Sequence, residues 1–321
     1  MPRFPGLIHC LATVSVALGM SAPTMAADFP SKPVNIVVPF NAGGSHDLLM
    51  RAFAPAFAKA LDGNVIVSNM AGGSGTVAAS TLAHDTPDGY KLGYWSVTVS
   101  TIQPQIKDLP YGEDSWTPIC SVAASPTLLF VNAKSPFHTI DEAVAAIKAQ
   151  PGRYIYGSSG PGTITQLASV AAFSGLGVLK DVRHLPFQGS GPALQGMAAG
   201  TIQFYGDTEL LMQGGDFRPL LTFSDTRLAD LPDVPTAREA GIEPPLDQLY
   251  LWGGLFAPAG LAADKRDALS KACGAAVASP ELQAFAERTR TVLHYRDAAA
   301  FDAFYRAQYS ANAKLIDAAG L

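Results

Sequence analysis

Residues 35–38 (NIVV) form a short β-branched run, after which Leu49, Phe53, Phe57 and Leu61 recur at intervals of four. The run predicts a strand and the recurrence predicts the apolar stripe of a helix lying on it. Pro55 stands inside that helix, where its ring and missing N–H predict a kink. The alternation continues, with residues 65–67 (VIV) reading as a strand, 78–83 as a helix and 91–95 (KLGYW) as a third strand. Residues 128–131 (LLFV) and 154–156 (YIY) read as strands on either side of a helix opened by a Thr139/Glu142 capping box. Another helix starts near Ile164, and strands are expected at 202–205 and 220–223. From Trp252 the pattern changes to one strand followed by Ala-rich helices at 264–278, 281–288 and 298–318. Such alternation predicts an α/β fold built on mainly parallel sheets. A late strand and terminal helices that return to the first unit would give two lobes, 27–127 plus 250–321 and 128–249, with a ligand cleft between them.

The first 26 residues follow a different pattern. Arg3 gives a positive start, residues 11–18 (LATVSVAL) a short apolar core, and Thr24, Met25 and Ala26 a small-residue cleavage site before Ala27. This is the arrangement of a secretory signal peptide, cleaved after Ala26. The apolar core falls short of the about 20 residues that a membrane span needs, and Cys10 precedes it, which does not suit a lipoprotein. The expected location is the periplasm. No ready pool of ATP or NADH exists there, so solute capture, hydrolysis and surface interaction are the classes left to test. The net charge of −5 becomes −6 once Arg3 is removed, which argues against a nucleic-acid partner or an anionic lipid surface. Cys120 and Cys273 remain after processing, and an oxidising compartment permits a bridge between them without requiring one.

Candidate chemistry gathers at three glycine-rich turns that follow strands, where open α/β sheets bind ligands. They are residues 40–47 (FNAGGSHD), 72–76 (GGSGT) and 157–163 (GSSGPGT). Glycines admit a ligand close to the backbone, and N–H groups at a helix start attract anions. Two such turns facing one another would clamp a small carboxylate, although each alone also fits a tight strand-to-helix connection. A secreted hydrolase is the rival. The nucleophile-elbow frame G-x-S-x-G fails at both serine turns, where Thr76 and Pro161 stand in place of the final glycine. The histidines show no metal-ligand spacing. Gly73, Gly75 and Ala78 imitate a dinucleotide fingerprint, against which export argues. No catalytic residue, metal or cofactor is expected.

Several motifs in order carry a resemblance: 29–33 (FPSKP), 38–44 (VPFNAGG) with Asp47, 87–90 (PDGY), 156–160 (YGSSG), 189–193 (GSGPA), 231–236 (LPDVPT), 239–241 (EAG) and 257–260 (APAG). Together they resemble the tripartite tricarboxylate transporter solute receptors, the Bug proteins. The resemblance implies a two-lobed periplasmic binding protein of the type II, flytrap kind, monomeric, that closes on a small organic acid without catalysis. It implies a ligand handed to a membrane permease, or presented to a sensor kinase, and the departures described below favour a mono- or dicarboxylate over a more highly charged acid. It carries the site onto Phe40, Asn41, Ala42, Gly43, Gly44 and Asp47 of the first turn and onto Ser158, Ser159, Gly160 and Thr163 of the serine turn. Asp47 fits a residue that caps backbone donors or orders water better than one that touches an anion. The chain also departs from the family pattern. Thr163 and Gln166 replace a usual serine and histidine, Gln188 replaces a lysine, and Asp207 lies in an altered Gly-Asp-Thr segment at the distal end of the pocket. These changes remove cationic options unless Arg51 or Arg183 enters the cleft. Trp95 stands where a small residue is common, with Ser96 beside it as a polar candidate; a core position is the first reading of Trp95, and the alternative, a cleft-facing ring counted among the ligand-binding candidates, would select aromatic acids.

Overall fold

The computed structural model describes residues 1–2, 29–213 and 215–320, so the core and cleavage site of the expected signal peptide lie outside the described residues. The strands are β1 (Val34–Val38), β2 (Val65–Asn69), β3 (Lys91–Ser96), β4 (Trp116–Pro126), β5 (Leu128–Asn132), β6 (Tyr154–Ser158), β7 (Val182–Pro186), β8 (Phe204–Asp207), β9 (Phe217–Thr222), β10 (Tyr250–Pro258) and β11 (Leu293–Arg296). They form one sheet of order β11-β4-β10-β3-β1-β2 and a second of order β7-β6-β8-β5-β9. The helices are α1 (Ser45–Leu61), α2 (Thr76–Leu82), α3 (Gln103–Ile106), α4 (Ile140–Ala149), α5 (Ile164–Gly175), α6 (Ser190–Ala198), α7 (Ala263–Val277), α8 (Pro280–Thr289) and α9 (Ala298–Ala319).

Both sheets are mixed, which corrects the expectation of mainly parallel ones. β1 runs parallel to β2 and β3, but β10 runs antiparallel to β3 and β4, as does β11 to β4. In the second sheet β6 is parallel to β7 and β8, whereas β5 is antiparallel to β8 and β9. In the first sheet β10 and β11 run against the other strands, and in the second only β5 does; β5 and β10 are the strands that enter and leave the second lobe. The chain passes from β4 into β5 through Thr127 alone, and it returns through β10.

Alternation along β1 explains how the first lobe packs. Val34, Ile36 and Val38 share one core with Leu49, Phe53 and Phe57 of α1, and Val37 faces the other side of the sheet. Each fully buried side chain of this kind contributes about 1.5–3 kcal/mol. α1 runs through Pro55 as one helix, so the expected kink does not break it. Cys120 of β4 and Cys273 of α7 are disulfide-bonded within that core, settling a pairing that the sequence leaves open. In the second lobe the Thr139/Glu142 capping box is present, with Glu142 N donating to Thr139 Oγ1 at 3.2 Å and Thr139 N to Glu142 Oε2 at 3.3 Å. Among the described residues no helix is long and apolar enough to cross a membrane.

Candidate ligand-binding cleft

The first glycine turn leads from β1 into α1. Gly44, the N-cap, is extended and offers no side-chain cap, so the amides of the first helical turn are not claimed by the helix itself. Asp47 braces the turn from within. Its Oδ2 accepts from Gly43 N at 3.0 Å, and its Oδ1 accepts from Arg51 Nε and Asn69 Nδ2, both at 2.9 Å. Asn69 Nδ2 also donates to the Phe40 carbonyl at 3.0 Å, and Arg51 donates to Asn69 Oδ1 at 2.9 Å. Burial works to raise the Asp47 pKa, but the hydrogen bonds from Arg51, Gly43 and Asn69 and the Arg51 charge together hold it below the usual carboxylate range. The Arg51 guanidinium is committed to this brace, and Arg183 lies exposed on β7.

The start of α6 in the other lobe meets this turn. Asn41 N donates to the Gln188 carbonyl at 3.4 Å. A Cβ on Gly191 would stand 2.7 Å from the Ala42 carbonyl oxygen, and one on Gly44 would stand 3.5 Å from Ser190 Cβ. α6 also begins without a side-chain cap, at Gly189 with φ +130°. Two uncapped helix starts, one from each lobe, therefore converge, and both favour negative charge. Asp207 sits beside them at the end of β8, fully buried. Its Oδ2 accepts from Ser190 Oγ at 2.6 Å and its Oδ1 from Thr208 N at 2.8 Å. Burial outweighs these bonds and pushes its pKa up to about 6.

A second crossing joins the turn at 72–76 to the serine turn. Ser74 Oγ donates to the Pro161 carbonyl at 2.8 Å, and Gln103 Nε2 donates to the carbonyls of Pro161 and Gly162, both at 2.9 Å. Ile164 N, at the head of α5, donates to Thr98 Oγ1 at 2.9 Å. Within the serine turn the hydroxyls satisfy each other: Ser159 N and Oγ both lie 2.8 Å from Thr165 Oγ1, and Thr163 Oγ1 donates to the Gly160 carbonyl at 2.7 Å. Gln166 Oε1 accepts from Gly162 N at 2.6 Å. The Tyr205 hydroxyl, buried beside the first crossing, donates to Ser190 Oγ at 2.8 Å.

Of the residues expected at the site, Phe40, Asn41, Ala42, Gly43, Gly44 and Asp47 form the turn that meets the start of α6, beside Asp207, and Ser158, Ser159, Gly160, Thr163 and Gln166 form the turn that meets Ser74, Thr98 and Gln103. Gln188 takes part through its carbonyl, and its side chain is exposed. Trp95 does not join them. It is fully buried, edge-on to Trp116 at 5.6 Å, with its ring folded back over Gly93, where a Cβ would stand 2.1 Å from it. The glycine beneath it gives the indole room inside the core, which corrects the cleft-facing reading. Ser96 is buried at the end of β3, and its Oγ meets no hydrogen-bond partner among the described residues. Sequence reasoning did not single out Thr98, Gln103, Thr165 and Tyr205, and it named Ser45, Ser74 and Ser190 only as members of glycine-rich segments. Residues 189–191 (GSG), between a strand and a helix, carried the same kind of signal as the turns that were singled out.

Two mixed α/β lobes that press polar, glycine-rich turns together across their interface define a periplasmic solute-binding fold. The chain belongs to the tripartite tricarboxylate transporter receptor family, whose model matches residues 49–321. This is the family read from the sequence motifs. A UPF0065 protein of Bordetella pertussis is 33% identical over 260 residues, 79% of each chain. Among solved structures, MatC from Rhodopseudomonas palustris with bound malate superposes with a TM-score of 0.83 at 26% identity, covering 90% of this chain and 100% of that one. The periplasmic binding protein BugD gives 0.83 at 25% identity, covering 91% and 99%. The family is one of solute-binding receptors that work with membrane transporters.

Proposed function

We propose that the protein is exported, cleaved after Ala26, and captures a small mono- or dicarboxylate between its lobes for delivery to the membrane permease of a tripartite transporter. The observation that carries this reading is the convergence of the uncapped starts of α1 and α6 from opposite lobes. Such a pair offers backbone N–H groups and two helix dipoles to one anion. No cationic side chain needs to enter, because Arg51 is held by Asp47. A low-charge acid suits a site that also contains Asp207. The malate in MatC supports a small aliphatic carboxylate, and the ring-stacking preference loses its support with Trp95 in the core. Phe40, Asn41, Ala42, Gly43 and Gly44 would hold one carboxylate together with the start of α6 at Ser190, with Asp207 beside them, and Ser159, Gly160 and Ser96 would lie toward the rest of the ligand. Lobe closure would be the signal to the permease, a population shift set by differential affinity for the closed form.

Calorimetric titration with malate and related aliphatic acids tests this reading, with Ser159→Tyr as the control. The parent should bind one acid class saturably and Ser159→Tyr should not, while its circular dichroism stays that of the parent. Equal binding by both proteins would remove the site. The mass of the protein from periplasmic extract should begin at Ala27.

A further inference from the structure

A histidine outside the turns ties the serine turn to its lobe. His184 on β7 stands opposite Tyr156 on the parallel neighbour β6, and the two rings stack at 4.9 Å with 16° between their planes. His184 Nε2 lies 2.7 Å from Ser158 Oγ, and Nδ1 lies 3.3 Å from Gln166 Nε2. The backbone fixes the direction of every bond. Gly162 N can only donate, so the Gln166 atom 2.6 Å from it is the carbonyl oxygen and the amide NH2 faces the histidine. Nδ1 must then accept, which leaves Nε2 protonated and donating to Ser158 Oγ. Ser158 Oγ in turn donates to the Gly160 carbonyl at 3.0 Å. One continuous chain of bonds thus begins at Gly162 N–H and ends at the Gly160 carbonyl, both inside the turn that meets Ser74 and Gln103.

We propose that His184, neutral and protonated on Nε2, is a positioning residue that sets the shape of the serine turn and makes that shape depend on pH. The ligand-facing consequence rests on the receptor reading above; the hydrogen-bond chain does not. A second proton on Nδ1 would point at the Gln166 NH2, and flipping that amide would turn the NH2 onto Gly162 N–H. Protonation therefore breaks the chain at one end or the other. The ring is faced by Tyr156 from β6, Gln166 from α5 and Ser158 from the turn. Arg183, its neighbour on β7, alternates to the opposite side and is exposed. Burial lowers the His184 pKa.

Long-range ¹H–¹⁵N spectra of the unliganded, ¹⁵N-labelled protein test this without any acid present. The parent should show the Nε2-protonated tautomer with a midpoint below 6.5, and the backbone amides of Gly160 and Gly162 should titrate with that midpoint. In Gln166→Glu the carboxylate can accept from both Gly162 N–H and a protonated Nδ1, so the midpoint should rise by about one unit or more. His184→Ala should displace the same two amides at all pH values; if it does not fold, Gln166→Glu carries the test. An Nδ1-protonated tautomer, a midpoint unmoved by Gln166→Glu, or Gly160 and Gly162 amides indifferent to the titration would each overturn the proposal. None of these readouts uses a ligand, so failure of the receptor reading would be seen separately, in the titrations with malate.

Discussion

Ser74 of one lobe and Gly160 of the other approach so closely that a Cβ on Gly160 would stand 2.5 Å from Ser74 Oγ. Ser74 holds φ at +65°, a left-handed conformation that non-glycine residues seldom adopt, and from it donates to Pro161 across the interface. Strain of about 1–3 kcal/mol is tolerated at this kind of place when surrounding contacts enforce it. The pair therefore marks a close approach of the two lobes, and we assign it to their closed arrangement.

Gly160→Ala should oppose that arrangement twice, through contact with Ser74 and through its own φ of +135°. We expect a folded protein with at least about tenfold weaker binding, a loss of about 1.4 kcal/mol. Small-angle scattering at saturating acid should show less compaction than in the parent. Adding Ser74→Gly should recover part of the loss. Compaction of Gly160→Ala equal to that of the parent would contradict the assignment of this contact to closure.

Asp47 and its partner Arg51 should differ sharply under substitution. Asp47→Ala leaves Gly43 N and Asn69 without their acceptor and should cost about 1–3 kcal/mol. Arg51→Ala removes a half-exposed partner and should cost about 1 kcal/mol or less. Urea unfolding measures both, and equal effects would refute the bracing role of Asp47.

Two buried groups should oppose each other in acid. Burial pushes the His46 pKa down to about 4. The unfolded chain then takes up a proton below 6.5 that the native state refuses until about 4, and stability falls as pH drops through that window. Asp207 is raised from 3.8 to about 6, so the native state binds its proton first and gains stability as pH falls from 6 to 3.8. Each shift of about two units corresponds to about 3 kcal/mol. Asp207→Asn removes the compensating group, and between pH 6.5 and 4 it should lose about 3 kcal/mol more than the parent in chemical denaturation. Parallel profiles for the two proteins would refute the burial of an ionisable Asp207.

The Cys120–Cys273 bridge spans a sequence separation of 153 residues and joins β4 to α7. Its removal by Cys273→Ser with Cys120→Ser should lower stability by about 2–5 kcal/mol. Thermal melts of parent and double variant under non-reducing conditions measure this, and identical melting temperatures would show that the core holds without it.

Much of the fold was legible because its signals are local. The four-residue recurrence from Leu49 to Leu61 and the Thr139/Glu142 box each specify one helix through side chains close in sequence, and both are present. β4 escaped notice because almost all of Trp116–Pro126 is buried on both faces, leaving no polar alternation to read. The mixed strand directions escaped for a related reason, since local pattern does not tell which way a strand returning from the other lobe will run. At the site, the glycine turns were visible as turns. Their partners across the interface were not, because Ser74 meeting Pro161 and Asn41 meeting Gln188 are facts of tertiary packing. Trp95 stayed open between cleft and core because nothing in its neighbours states that Gly93 makes room for the indole inside the core.

The most direct test of the central claim is a thermal-shift screen of the mature, ligand-stripped protein against aliphatic mono-, di- and tricarboxylates, aromatic acids, amino acids and neutral amides. An acid at 100 times its dissociation constant adds about 2.7 kcal/mol, which appears as a higher melting temperature. We expect a clear shift confined to small mono- or dicarboxylates. Folded, empty protein that shifts with none of the acids would contradict the receptor account.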